Sequence, residues 1–259
     1  MRHWLVVGTM ASALAVLAAC GGGDGENVVR VTATEYAFAM PDEIEGGLVT
    51  FDVSNDGEQL HEWALGKVDE GKTIEDVRAA AQAGEEPPPW LEDIGGIPMI
   101  DPGHGERLTR RLEPGSYVYL CFMPGPDGTP HVMLDMIKMF TVTEASDAEA
   151  PDADAVITAT DDGYEVPEIA SGSQTLELKN SGTTPHEFLF VAYDEGKTLD
   201  DVGAWFEGGL QGDSPAAFVG GIHTVQPGES VYVTLDLTAG TTYTVIDSDT
   251  GTAEDFTAS

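Results

Sequence analysis

Four side chains with metal-binding atoms follow one another in the first half of the chain: His61, Cys121, His131 and Met136. The last three lie in one short segment, residues 121–136. Taken singly, each has an ordinary interpretation: a histidine in a turn or facing solvent, a cysteine acting as a small buried hydrophobe, a methionine filling a core. The surrounding sequence must therefore decide whether the four act together.

The chain has two cysteines, and the context of Cys20 determines what Cys121 can do. Cys20 lies in the segment 17–21, LAACG, which resembles a bacterial lipobox, the signal whose cysteine is acylated with diacylglycerol. The alternative is an ordinary signal peptide that is cleaved nearby. If Cys20 is acylated, Cys121 is the single thiol left in an oxidising compartment and cannot form an internal disulfide. It is then either an inert buried residue or a metal ligand.

The N-terminal region has the pattern of an export signal. Arg2 precedes an apolar run over residues 4–19 that is too short to count as a membrane span. We predict a lipoprotein signal peptide at residues 1–19 and a flexible glycine-rich tether at residues 20–27. Two or more acyl chains give stable anchoring. We therefore expect an extracytoplasmic protein that is lipid-anchored to a bacterial cell membrane.

The remainder of the chain contains one unit twice, at an offset of 125 residues. The matching segments are 61–62 and 186–187 (HE), 69–73 and 194–198 (DEGKT), and 95–97 and 220–222 (GGI). A period of this length is far longer than a solenoid repeat and indicates a duplicated domain. We expect domains at residues 28–144 and 156–259, joined by an acidic linker at residues 145–155.

Each unit has the pattern of a β-sandwich with one helix. Short runs rich in valine, leucine and threonine are followed by turn signals, as at residues 48–57 and 176–182. Thr73 and Thr198 each precede an aspartate by three positions, which is typical of a capped helix. We predict an all-β fold of two tandem sandwiches, each with a short helix inserted after its histidine-bearing strand.

Several motifs of the first unit resemble those of a known protein family. They are the segments 36–41 (YAFAMP), 49–51 (VTF), 55–57 (NDG) with His61, and 115–121 (GSYVYLC). Together they resemble the cupredoxins, the plastocyanin-like blue (type 1) copper domains. Segment 121–136 also resembles the ligand loop of copper nitrite reductases, where cysteine, histidine and methionine follow in this order. The resemblance implies two cupredoxin-like Greek-key β-sandwiches, the second without the copper ligands.

The same resemblance implies that copper is bound by His61, Cys121, His131 and Met136. A blue copper centre uses two imidazoles and one thiolate in a trigonal set, with a weak axial thioether. The nitrogens suit Cu(II) and the sulfurs suit Cu(I), so the site changes little when an electron enters or leaves. Nine residues separate Cys121 from His131, more than in small electron carriers, which leaves the loop geometry and the redox potential open.

The second unit and the neighbours of Cys121 argue against an enzyme. At the offset of 125, Ile246 takes the place of Cys121, and no histidine or methionine follows it. His186 is then structural, and the second unit is a metal-free spacer or docking module. In two-domain copper enzymes, histidines beside the cysteine lead to a second copper site, whereas here those neighbours are Leu120 and Phe122. We predict no catalytic residues.

The net charge of the chain indicates which binding partners it attracts and which it repels. The chain has 46 acidic and 11 basic residues, a formal net charge of −35. Such a surface repels nucleic acid and anionic headgroups and favours cationic partners, although solubility or a salty habitat explains it equally well. We expect a membrane-anchored blue copper protein that transfers single electrons to or from a redox partner such as a cationic cytochrome, with His131 as the electron port. The alternatives are a copper storage, delivery or sensing lipoprotein and a metal-free scaffold module.

Overall fold

The computed structural model describes residues 26–84 and 87–259. The elements of the first unit are β1 (Val28–Thr34), β2 (Ala37–Ala39), β3 (Glu43–Asn55), β4 (His61–Val68), α1 (Ile74–Ala83), β5 (Leu91–Ile100), β6 (Gly105–Leu112), β7 (Gly115–Leu120), a 3-10 helix (His131–Leu134) and β8 (Ile137–Ala145). Those of the second unit are β9 (Ala155–Thr160), β10 (Gly163–Glu165), β11 (Gly172–Asn180), β12 (His186–Tyr193), α2 (Leu199–Glu207), β13 (Ala216–Val225), β14 (Ser230–Leu237), β15 (Thr242–Asp247) and β16 (Thr252–Thr257).

Each unit is a β-sandwich in which several of the paired strands are not consecutive in the chain. In the first unit, one sheet runs β2-β1-β3-β6 and the other runs β8-β7-β4-β5. The long strand β3 belongs to both, because its first residues pair with β8 and its later residues with β6. The second unit repeats this order as β10-β9-β11-β14 and β16-β15-β12-β13. The predicted all-β fold of two tandem sandwiches with crossing connections is thereby confirmed.

The two helices occur where the sequence predicts them, after the strands that begin with histidine. Thr73 caps α1 and Thr198 caps α2, each in a capping box with the aspartate three residues later. In α1 the chain leaves the helix at Gly84 in a left-handed conformation, with φ of 63°.

The two units share both of their sheets. Strand β6 pairs with β14, and β5 pairs with β13 at Ile100 and Val219, so each sheet continues from one unit into the other. Strand β8 ends at Ala145 and β9 begins at Ala155. Whether each unit also folds by itself stays a prediction.

The predicted signal peptide, Cys20 and most of the predicted tether lie outside the described residues. In the part of the chain that the structure describes, no helix is long and apolar enough to cross a membrane.

Candidate metal centre

Adjacent strands bring His61 and Cys121 to the same end of the first sandwich. His61 is the first residue of β4, and Cys121 directly follows the last residue of β7. The two strands are antiparallel neighbours, with Ala64 opposite Leu120. The start of one strand and the end of the other therefore meet, and both side chains are buried.

The turn before His61 is held by a buried asparagine. The side-chain amide of Asn55 donates to the carbonyl oxygens of Gln59 (2.8 Å) and Ile100 (2.9 Å), which ties the turn to the end of β5. Gly57 lies against this turn, where a Cβ would come 2.9 Å from Nε2 of His61. The segment NDG seen in the sequence thus shapes the position of His61.

The loop from Cys121 to Met136 closes upon itself despite its length. The amide of Val132 donates to the Cys121 carbonyl (2.7 Å), and the amide of His131 donates to the Met123 carbonyl (2.9 Å). The additional residues form a small turn in which Gly125 donates to Thr129 (2.8 Å). The open question of loop geometry is answered here, because this turn lets His131 return to the side of Cys121.

Three of the four sequence-predicted ligands converge. The Nδ1 atoms of His61 and His131 are 3.1 Å apart, and Sγ of Cys121 lies 3.8 Å from the first and 3.3 Å from the second. A point at about 2.0 Å from all three atoms exists at these separations, and imidazole nitrogen binds a metal such as zinc at about 2.0 Å. This is the group of three metal-binding residues found within residues 26–84 and 87–259.

The outer nitrogen of each ring faces an acceptor, which orients both rings in the same way. Nε2 of His131 lies 3.2 Å from Oε1 of Gln59, and Nε2 of His61 lies 3.5 Å from Oε1 of Glu35. With the proton on Nε2 in both rings, both Nδ1 lone pairs point at the centre. Metal-bound histidines are held in this way, with the second nitrogen donating to an outer partner.

Burial keeps both imidazoles in the form that binds metal. Desolvation, together with the nearby His61, lowers the pKa of His131 to about 4. Desolvation also lowers the pKa of His61, although Glu35 opposes the shift. Burial raises the pKa of the Cys121 thiol, and the carboxylate of Glu62 adds to this. Without a metal the site is therefore two neutral rings and a neutral thiol, and a metal must displace the thiol proton.

Met136 is fully buried and is connected to two of the converging residues through the backbone. Its amide donates to the His131 carbonyl (3.0 Å), and its carbonyl accepts from the Cys121 amide (3.3 Å). Its role as the fourth ligand stays a prediction.

The second unit carries an aspartate where the first has the cysteine, and the pairing of Cys121 with Ile246 is wrong by one residue. Ala64 faces Leu120 in the first unit, and Leu189 faces Ile246 in the second, so Ile246 is the counterpart of Leu120. The counterpart of Cys121 is Asp247. The offset changes from 125 to 126 because the stretch from Leu237 to Ile246 is one residue longer than the equivalent stretch from Leu112 to Leu120.

In the second unit, the Asp247 carboxylate forms a hydrogen bond with Nδ1 of His186, the atom whose counterpart in the first unit faces the candidate metal centre. Its Oδ2 lies 2.8 Å from Nδ1 of His186, and its Oδ1 accepts the amides of Asp249 (3.1 Å) and Thr250 (3.2 Å). The ring nitrogen that would face a metal in the first unit is thus occupied by a carboxylate of the same chain. The structural role expected for His186 stays a prediction.

Sequence reasoning missed the outer partners Glu35, Gln59 and Glu62. Glu62 was visible as a repeated residue, since both units contain His-Glu, but the repeat alone did not indicate a contact. In the structure its carboxylate accepts the backbone amide of Phe122, the residue after Cys121. Glu62 therefore holds the start of the ligand loop.

His131 is buried instead of reaching the surface. Its ring lies 4.9 Å from the ring of Tyr36 and is bonded to Gln59, so these side chains separate it from solvent. The exposed residues of the loop include three large apolar side chains, Phe122, Met133 and Leu134, and the carboxylates of Asp127 and Asp135. The sequence predicts His131 as the electron port. Because His131 is buried, an electron that leaves through it must cross one more side chain to reach the surface.

The comparisons with known proteins add the following similarities. No family model matches the sequence, and no curated protein matches it. A reduced auracyanin from Roseiflexus castenholzii is 24% identical over 46% of this chain and 98% of that chain, with a TM-score of 0.33. Auracyanin B is 26% identical over 48% and 93% of the two chains, with a TM-score of 0.31. A copper nitrite reductase from Nitrosomonas europaea is 13% identical over 90% and 93%, with a TM-score of 0.24.

The strand order and the convergence of the His-Cys-His group define a protein with two β-sandwiches of the same strand order and, within the described residues, one candidate metal centre. The centre lies wholly in the first unit.

Proposed function

We propose that this chain binds one copper ion between His61, Cys121, His131 and Met136 and carries single electrons outside the cytoplasm. The observation that supports the proposal most directly is the convergence of two Nδ1 atoms and one sulfur within 3.8 Å. Two imidazoles and one thiolate in a trigonal set are the donors of a blue copper site.

The chemistry of this donor set favours transfer of electrons over catalysis. Copper held by two nitrogens and a thiolate accepts and releases one electron with little change in its ligand positions. The buried site has no open face within the described residues, because all four proposed ligands are shielded from solvent. An enzyme requires a position for its substrate, so we favour a carrier over a catalyst.

The side chains around the centre hold the donor atoms in the orientation and protonation state that copper binding requires. Gln59 and Glu35 fix the two rings with Nδ1 directed inwards, and burial keeps both rings neutral at physiological pH. A rigid, preformed donor set reduces the rearrangement that accompanies a change of oxidation state.

We propose that electrons leave through the exposed apolar side chains of the ligand loop, which are those of Phe122, Met133 and Leu134. The surrounding net charge of −35 suits a cationic redox partner such as a cytochrome, which it attracts over long range. The lipobox-like segment at Cys20 supports attachment to the outer face of a bacterial cell membrane by acyl chains.

The test of the copper site is the visible spectrum of the full chain after loading with Cu(II). We expect a thiolate-to-copper charge-transfer band and one copper per chain. The metal-free chain and the zinc-loaded chain serve as controls and stay colourless, because Zn²⁺ is not redox-active. A colourless protein that takes up no stoichiometric copper would rule the copper site out.

Voltammetry then separates an electron carrier from a copper store or sensor. A carrier gives a reversible one-electron wave and fast self-exchange, whereas loss of copper upon reduction indicates storage or delivery.

A further inference from the structure

A histidine of the second unit lies between two buried glutamates at the contact between the units. His223, in strand β13, has its Nε2 at 3.4 Å from the Glu62 carboxylate and its Nδ1 at 3.4 Å from the Glu187 carboxylate. Glu62 belongs to the first unit and Glu187 to the second, and they are the glutamates of the two His-Glu pairs. His223 thus connects equivalent points of the two sandwiches.

Each glutamate uses its second oxygen to hold the segment that follows β7 or β15. Glu62 accepts the amide of Phe122, next to Cys121. Glu187 accepts the amide of Ser248 (2.9 Å), next to Asp247. A continuous chain of polar contacts therefore runs from the second unit through His223 and Glu62 to the ligand loop.

The two buried carboxylates require a positive charge between them, and His223 supplies it. Glu62 is 5% exposed and Glu187 is 6% exposed, so neither carboxylate is well solvated. Although burial opposes it, the two carboxylates raise the pKa of His223 to about 10, so the ring carries a positive charge at neutral pH. The charged ring attracts both carboxylates as an ion pair, while its Nε2 makes no hydrogen bond within the described residues. At the offset of 125 the first unit has Pro98, which has no such group.

We propose that His223 is a positioning residue through which the second unit orients Glu62 and thereby the ligand loop at Cys121. The second unit is then an outer part of the metal centre instead of a spacer. The inference rests on the proposed function because the ligand loop is proposed to hold copper. The contacts of His223 themselves are present in the metal-free protein.

The first test measures access to Cys121 in the metal-free full chain. In a Cys20→Ala background Cys121 is the single thiol, and because it is buried it reacts with a neutral aromatic disulfide only after local opening. We expect His223→Gln to accelerate this reaction about tenfold, beyond what its free energy of unfolding explains, because the charged contact that holds the Glu62 carboxylate is lost. Glu187→Gln, which removes the other support of His223, has a smaller effect in the same direction.

The control is His104→Gln, because His104 lies on an exposed turn and bonds to Pro102 in the same turn. His223→Lys, which restores a positive charge, returns the thiol reaction towards the rate of the parent chain. In the copper-loaded full chain, His223→Gln shifts the charge-transfer band and His104→Gln does not.

Two outcomes separate this inference from the copper proposal. If the parent chain shows no charge-transfer band, the copper proposal fails, and the thiol rates still decide the role of His223. If His223→Gln reacts at the rate of His104→Gln after correction for global unfolding, His223 is only a structural contact and the inference is wrong.

Discussion

The two units differ at the residue that follows strand β7 or β15, and the second unit also lacks the loop histidine and methionine. Cys121 offers a soft sulfur beside two imidazoles, whereas Asp247 offers an oxygen that bonds directly to Nδ1 of His186. The histidine at the start of the strand is the same in both units. This residue and the loop that follows it therefore decide whether this end of the sandwich is a candidate metal centre or an internal hydrogen bond between histidine and aspartate.

At the residue scale we predict opposite effects for substitutions in the two units. Cys121→Ser removes the charge-transfer band and weakens copper binding by more than about 100-fold, since loss of an outer partner alone costs about 10–100-fold. His186→Ala leaves the spectrum and the ratio of one copper per chain unchanged. It lowers the free energy of unfolding by about 3 kcal/mol, because Asp247 stays buried without its partner.

Metal analysis, visible spectra and urea titrations of the two variants check this prediction. Colour lost in His186→Ala, or two coppers per chain, would mean that the second unit supplies ligands.

Among the elements, strand β5 controls the position of His61 through an irregular pairing with β4. His61 faces Ile100 and Trp63 faces Ile97, with bulges in the register on both sides of Trp63 and Ala64. Gly96 makes the close approach possible, with φ of 110° and no room for a side chain against the carbonyl of Trp63. The repeated Gly-Gly-Ile segment thus serves the strand pairing that places the candidate ligand.

At the element scale we predict that Gly96→Ala is severely destabilising. Its Cβ overlaps the backbone of β4 and its φ is unfavourable for alanine, so the free energy of unfolding falls by more than about 3 kcal/mol. Gly203→Ala is the matched control, since it lies in α2 with open space around it and is expected to stabilise by about 1 kcal/mol. Urea unfolding of both variants decides the matter, and equal stability of Gly96→Ala and the parent chain would contradict this interpretation.

For the molecule as a whole, the two units are joined by more than a linker. Both sheets continue from one unit to the other, and the buried carboxylate of Glu106 accepts the amide of Gly221 across the contact (2.6 Å). The carboxylates of Glu62 and Glu187 meet at His223 in the same contact. These shared sheets and buried polar contacts explain how a unit without its own metal centre can influence the other.

At the scale of the whole molecule we predict that Cys20→Ala abolishes acylation and releases the protein from the membrane or leaves it unprocessed, because only the thiol accepts diacylglycerol. Membrane fractionation after detergent-free washing, with incorporation of labelled fatty acid, measures this. Cys121→Ser is the control and keeps its membrane attachment. An unchanged membrane fraction in Cys20→Ala would show that the lipobox interpretation is wrong.

The sequence by itself determined the class of fold and the set of residues that converge. Periodic strand signals, the capped helices and the offset of 125 residues depend on local chemistry and spacing, which a linear chain displays directly. The order of His61, Cys121 and His131 was informative for the same reason, because the resemblance to cupredoxins is carried by short segments.

Tertiary structure alone decided the contacts between residues distant in the chain. The turn at Gly125–Thr129 returns His131 to Cys121, and one extra residue in the stretch from Leu237 to Ile246 places Asp247, not Ile246, opposite His186. The bridge from Glu62 through His223 to Glu187 depends on how two sandwiches join their sheets. No local pattern encodes such contacts, since they arise when hydrogen-bonding edges and buried charges of separate segments find partners during packing.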